Sequence, residues 1–191
     1  MEDVLEIRWH GRGGQGAVTA SKLLASAALE EGYYIQAFPE YGAERMGAPV
    51  QSFNRISKEP IELHCQVREP EIVLVLDATL LKSIDVCEGI KEGGILIVNT
   101  PKTPDEIRKL LNFNGKEIKV YTVDATRISI ETMGRAMPNT PMIGALARVT
   151  DFLKLDSLLA NVKKSLAKRF TEEVVEGNLN AIKKAYEEVK D

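Results

Sequence analysis

Residues 11–16 read Gly-Arg-Gly-Gly-Gln-Gly, and Gly11, Gly13 and Gly16 satisfy the pattern G-x-G-x-x-G. An apolar run, Val4 to Trp9, precedes them and an Ala- and Leu-rich stretch, Ala17 to Glu31, follows, so the glycines stand between a strand and a helix. Glycine permits positive φ and close approach of a ligand to the backbone, and a helix N-terminus offers free N–H groups to an anion. Two uses fit: a cradle for a phosphate-like group, or a tight turn with close strand–helix packing. Arg12 is the one cation inside this loop, and Gly14 and Gln15 complete it. A nicotinamide dinucleotide would call for an acid about 20 residues further on, at the end of the second strand. Gln36-Ala37-Phe38-Pro39 occupies that place and Glu40 lies past the proline, which argues against a stand-alone dehydrogenase.

A second group, Tyr41-Gly42-Ala43-Glu44-Arg45-Met46-Gly47-Ala48-Pro49-Val50, sets Glu44 and Arg45 between two glycines in a loop beyond a strand. Ligands of open α/β sheets sit at such loops, and an exposed loop with a solvated acid and base fits equally. A third group, Met137-Pro138-Asn139-Thr140-Pro141-Met142-Ile143-Gly144-Ala145, places Asn139 or Thr140 to cap a helix beginning at Pro141. Other polar candidates are weaker. His10 precedes the glycine loop, and a lone histidine is more often structural. His64 and Cys65 are adjacent, so on a strand they would point to opposite faces. Asp77 and Asp124 each follow a buried strand, where capping the next helix is the plainer role.

The elements that must hold these residues alternate. Strands are expected at Val4–Trp9, Tyr33–Phe38 (stopped by Pro39), Val50–Ile56, Ile72–Leu76, Ile95–Val98 and Val120–Val123. Helices are expected at Ala17–Glu31, at Leu80–Ile90, and from Pro104 to about Asn112, where Thr103 and Glu106 form a capping box. From Thr126 the period is helical throughout: Thr126–Met137, Pro141–Leu153, Ser157–Phe170 and Glu172–Val189. The fold class is therefore α/β, three-layer and Rossmann-like, with a mostly parallel sheet and a helical C-terminal part. Residues 1–191 read as a single domain, with an α/β core over about 1–125 and a helical extension over about 126–191.

Composition narrows the function. The 25 Lys and Arg balance 28 Asp and Glu, for a net charge of -3, which gives no general attraction to nucleic acid or anionic membrane. The N-terminus is acidic and no run of about 20 apolar residues occurs, so a cytoplasmic location is expected. The two cysteines, Cys65 and Cys87, are too few for an iron–sulfur cluster held by four thiolates. No metal-ligand spacing appears.

Together, Gly11-Arg12-Gly13-Gly14-Gln15-Gly16, Gly42-Ala43-Glu44-Arg45-Met46-Gly47-Ala48-Pro49-Val50, and Asn139-Thr140 to Gly144-Ala145 resemble the gamma subunits of 2-oxoacid:ferredoxin oxidoreductases. The similarity spans nearly the whole chain, and the Arg-Met-Gly-Ala-Pro-Val form is similar to the pyruvate or branched-chain branch, pyruvate:ferredoxin oxidoreductase (pyruvate synthase) first. The resemblance implies a complex that decarboxylates a 2-oxoacid on thiamine diphosphate with magnesium, passes electrons through iron–sulfur clusters to ferredoxin, and hands the acyl group to coenzyme A. It implies alpha, beta and delta subunits as partners and no catalytic residue on this chain. Gly11 to Gly16, Glu44, Arg45, Asn139 and Thr140 would then bind a cofactor or form an interface, with the apolar C-terminal helices packed against partner subunits. A 2-oxoisovalerate complex, or an independent phosphate-binding protein, are the alternatives.

Overall fold

The computed structural model describes residues 4–40 and 47–191. Six strands form one sheet: β1 (Leu5–Arg12), β2 (Tyr34–Glu40), β3 (Pro49–Ser57), β4 (Ile72–Val75), β5 (Ile95–Asn99) and β6 (Lys119–Val123). Their spatial order is β2-β3-β1-β4-β5-β6. β1, β4, β5 and β6 pair in parallel, whereas β3 is antiparallel to both β1 and β2, so only β3 opposes the common direction. The mostly parallel α/β sheet expected from the strand–helix alternation is present. β2 also runs one residue past Pro39, which an edge strand tolerates because its outer N–H groups need no partner.

Alternation along the strands builds two cores. Ile7, Trp9, Ile72, Leu74 and Ile97 face one side, and Val73, Val75, Leu96, Val98 and Val120 the other. The first side is covered by α1 (Ala17–Glu30), α3 (Ala125–Met133), α4 (Asn139–Val149), α5 (Leu155–Leu166) and α6 (Glu172–Glu188). Small residues on α1, namely Ala17, Ala20, Ala27 and Ala28, let it lie close to the sheet. A buried polar chain fixes its position: Trp9 Nε1 donates to Asn54 Oδ1 at 2.8 Å, and Asn54 Nδ2 donates to the Ser21 carbonyl at 2.9 Å.

The opposite side departs from expectation. Instead of a helix from Leu80 to Ile90, a 3-10 turn over Ala78–Lys82 is followed by irregular chain, and α2 (Pro104–Arg108) stops short of Asn112. The reason is local competition for backbone groups: Asp77 accepts from Thr79 N–H, Ser83 Oγ donates to the Leu80 carbonyl, and Asp85 accepts from Cys87 N–H. Leu80, Val86 and Ile90 still bury their side chains. The capping box at Thr103 and Glu106 forms as expected.

The C-terminal helices need one correction. Leu158 and Val162 of α5, and Val175, Leu179 and Ile182 of α6, belong to the same core as Ile7 and Trp9. Their apolar stripes face the sheet and each other rather than partner subunits. Lys190 pairs with Thr122 on the open side of β6 and blunts that edge. No helix among the described residues is long and apolar enough to cross a membrane.

Candidate functional site

β1 leads through α1 to the β2–β3 side of the sheet, whereas β4 leads to β5 and β6. The carboxyl ends of β1 and β4 therefore border the crevice where the strand order reverses, the customary ligand position in an open α/β sheet. The glycine loop stands there. Its side chains are already engaged with one another. Arg12 Nε donates to Asp77 Oδ2 at 3.1 Å, Nη2 to Thr79 Oγ1 at 3.0 Å, and Nη1 to the Gly47 carbonyl at 3.0 Å. Gln15 Nε2 donates to the same Asp77 Oδ2 at 2.9 Å, while Gln15 Oε1 accepts from the Arg12 N–H at 2.7 Å. Asp77 Oδ1 accepts from the N–H and hydroxyl of Thr79 at 2.9 and 2.6 Å. Burial raises the Asp77 pKa, but the bonds from Thr79 and Gln15 and the Arg12 charge outweigh it and hold the carboxyl below its ordinary value.

The backbone is partly engaged as well. Gly13 N–H donates to the Ala48 carbonyl at 3.0 Å and Gln15 N–H to the Arg12 carbonyl at 3.0 Å. Gly16 precedes α1 at φ 82°, a left-handed conformation that favours glycine. A Cβ there would also stand 2.8 Å from Asn139 Nδ2 and 2.9 Å from Asn139 Cγ. The first and third groups singled out in the sequence thus meet in space, Gly16 against Asn139.

Asn139 and Thr140 do not cap a helix at Pro141. α4 begins at Asn139 itself, with Met142 N–H donating to the Pro138 carbonyl at 3.1 Å, and proline fits a first turn whose N–H groups need no partner. Thr140 Oγ1 instead bonds Asn178 Oδ1 of α6 at 2.9 Å. Asn139 is 4% exposed and its Oδ1 has no hydrogen-bond partner. Neither α1 nor α4 has a side-chain cap or an acid in its first turn. Two positive helix ends therefore converge where Gly16 meets Asn139.

Glu44 and Arg45 lie outside the described residues. His10 is 2% exposed on the sheet face away from α1, and its ring does not enter the crevice. Burial and then the adjacent Arg8 push its pKa down to about 3; the Val86 carbonyl opposes this slightly, yet neither ring nitrogen has a partner of hydrogen-bond geometry. His64 and Cys65 fall on irregular chain rather than a strand, in a cleft of about 500 Å³ with Gln36, Phe38, Arg55 and Gln66. Arg55 is wholly buried and neutralised by Glu6 at 2.7 Å, with further bonds to Gln36 and the Cys65 carbonyl. The cleft thus offers no uncompensated charge from its arginine.

Cys87 is buried, and burial, with Asp85 adding to it, pushes its thiol up to about 12, unsuited to ligating a cluster. No group of three or more His, Cys, Asp or Glu among the described residues is placed to hold a metal ion. The residues of this chain do not fit an iron–sulfur cluster.

Asp124 caps α3 through Arg127 N–H at 3.0 Å, and Asp77 caps the 3-10 turn, as expected. What sequence reasoning missed is that Asp77 also holds the glycine loop. The available signal was its place two residues past the end of β4, the strand beside β1 in a parallel sheet.

A profile of the pyruvate ferredoxin/flavodoxin oxidoreductase family matches residues 6–188. The chain is 51% identical over 185 residues to pyruvate synthase subunit PorC of Thermotoga maritima, covering 97% of this chain and 94% of that one. It is 46% identical over 187 residues to the common gamma subunit of the pyruvate and ketoisovalerate oxidoreductases of Pyrococcus abyssi, covering 98% of each. The crystal structure of the Thermotoga maritima pyruvate oxidoreductase subunit PORC superposes with a TM-score of 0.85 at 48% identity, over 99% of this chain and 98% of that one.

Proposed function

The chain belongs to the pyruvate ferredoxin/flavodoxin oxidoreductase family as a gamma subunit, and on that premise we propose how it serves the complex. It is a subunit of a multisubunit 2-oxoacid:ferredoxin oxidoreductase, of the kind called pyruvate synthase. Companion alpha, beta and delta subunits carry the thiamine diphosphate, magnesium and iron–sulfur clusters and pass electrons to ferredoxin, in the cytoplasm. This chain contributes no catalytic residue. It supplies a surface on which coenzyme A, the acyl acceptor, is held by its phosphates against the carboxyl end of the sheet.

One observation carries this reading: the uncapped N-termini of α1 and α4 converge at Gly16 and Asn139, with no acid in either first turn. Helix ends of that kind attract anions. The unpartnered Oδ1 of buried Asn139 fits the same place, since a hydroxyl or amide N–H of a ligand could donate to it. Gly14 adds room, because a Cβ there would meet nothing within 4 Å. Arg12 takes no direct part, being bound to Asp77.

The second reading, a pure docking ledge, is favoured by the loop's own bonding, since the N–H groups of Arg12, Gly13 and Gln15 all point to acceptors within the chain. Asn139→Asp separates the two. It is nearly isosteric, and a carboxylate at a helix N-terminus favours the fold while repelling an anion. In the assembled complex it should raise KM for coenzyme A about tenfold, equivalent to about 1.4 kcal/mol of lost binding. An unchanged KM in an intact complex would leave the docking ledge. Which 2-oxoacid is used should not respond to this chain, because the Pyrococcus abyssi relative is common to two oxidoreductases of different 2-oxoacids. A 2-oxoisovalerate complex remains the alternative to pyruvate on that account.

A further inference from the structure

The glycine loop has an anchor that its own residues do not contain. Asp77 lies 65 positions beyond Arg12 and 62 beyond Gln15, two residues past the end of β4, and its Oδ2 accepts from both side chains at 3.1 and 2.9 Å. Its other oxygen is held by the N–H and hydroxyl of Thr79. The carboxylate is therefore fixed by β4's own continuation before it meets the loop. Gln15 is in turn fixed at both ends: its amide nitrogen faces Asp77 and its amide oxygen faces the Arg12 N–H at 2.7 Å, so the side chain has one permitted orientation. Arg12 extends the set to the Gly47 carbonyl and so joins the start of β3 to the end of β4.

We propose that Asp77 is a positioning residue for the glycine loop, setting from the end of β4 the conformation in which residues 12–16 receive coenzyme A. This rests on the coenzyme reading given above. Without the carboxylate, the Gln15 amide turns freely, the Arg12 N–H loses a fixed acceptor, and the turn into Gly16 is no longer held against Asn139. A charge-assisted cluster of this kind couples its members, so removal of one is felt by all.

Arg12 makes the prediction directional. If Asp77 only competed with the ligand for Arg12, its removal would free a cation and tighten coenzyme binding. As a positioning residue it does the opposite.

The test uses the whole complex, purified with companion chains carrying Asp77→Ala or Asp77→Asn. The asparagine keeps an oxygen for Thr79 but turns an NH2 group towards two donors, so it isolates Oδ2 without emptying the site. Both variants should raise KM for coenzyme A about tenfold, with the effect on KM for coenzyme A rather than on kcat or on KM for the 2-oxoacid. Backbone amides of residues 12–16 should exchange hydrogen faster in both. The proposal is overturned if KM for coenzyme A falls, if loop exchange is unaltered, or if KM stays within about twofold of the parent while Asn139→Asp raises it. In that last case the coenzyme reading stands without Asp77. Should Asn139→Asp and both Asp77 variants all leave KM untouched, the coenzyme reading fails and this proposal fails with it.

Discussion

At the scale of single residues, His10 is the clearest instance of environment overriding type. Its pKa in the folded chain is about 3 against an ordinary 6.5, because burial and the neighbouring Arg8 both oppose a second positive charge. The unfolded chain binds a proton as pH falls below 6.5, and the folded chain does not until about 3. Folding stability is therefore lost across that window as pH falls, by about 1.4 kcal/mol per pH unit from this group. His10→Leu, close in size, should flatten the fall of the urea midpoint between pH 6.5 and 4 while changing little at pH 7, where it removes an unpartnered polar ring. Parallel pH profiles for parent and variant would show that His10 is not the source. His10 stands directly before the glycine loop in sequence, which invited a ligand role; the alternation of the strand turned it away from the helical layer. Asp77 shows the converse. As a lone acid after a strand it reads as a cap, and its hold on Arg12 and Gln15 becomes visible only once β4 is known to lie beside β1.

Elements were legible where hydrophobic period and turn chemistry agreed. The Ile72 and Ile95 strands, the helix after the glycine loop and the Thr103–Glu106 capping box all stand where residue pattern placed them. The helix expected at Leu80–Ile90 failed because its apolar spacing is real but its backbone is captured by Asp77, Ser83 and Asp85, an outcome that period does not reveal. Likewise the C-terminal helices were legible as amphipathic, but not which surface their stripes would meet. Gly144 explains how α4 and α6 meet: a Cβ on it would stand 2.3 Å from the Ile182 carbonyl oxygen. Gly144→Ala tests whether that contact matters. Alanine would favour an isolated helix by about 1 kcal/mol, yet here it must push two backbones apart, at a cost of about 1–3 kcal/mol or more. The variant should melt several degrees lower, at about 2–4 °C per kcal/mol for a chain of this size. A raised melting temperature would mean that α4 and α6 part without penalty.

The whole molecule decides what the glycine loop can and cannot do. In a dinucleotide fold the strand after the first helix lies beside the first strand, and an acid at its end reaches the ribose. Here the antiparallel β3 stands between β1 and β2, so the end of β2 is two strand spacings away, about 9–10 Å instead of about 5 Å. Contrary to the expectation that Pro39 stops the strand, an acid does end β2, but Glu40 stands on the edge strand and accepts from Gln66 at 2.8 Å. The crevice is bordered by β4 instead, and what it offers there is Asp77, a carboxylate already committed to Arg12 and Gln15. A carboxylate so engaged cannot also accept two ribose hydroxyls. Titration of the isolated chain with NADH, followed by nicotinamide fluorescence, should therefore show no saturable binding up to about 1 mM, the level at which association is worth only about 4 kcal/mol. Saturation in the micromolar range would mean that the β3 insertion leaves a dinucleotide path open and that the chain has a redox ligand of its own. The same topology sets this glycine fingerprint apart from a nicotinamide site: the tight turn and the uncapped start of α1 are kept, while the strand that would specify a nicotinamide cofactor lies at the sheet's edge.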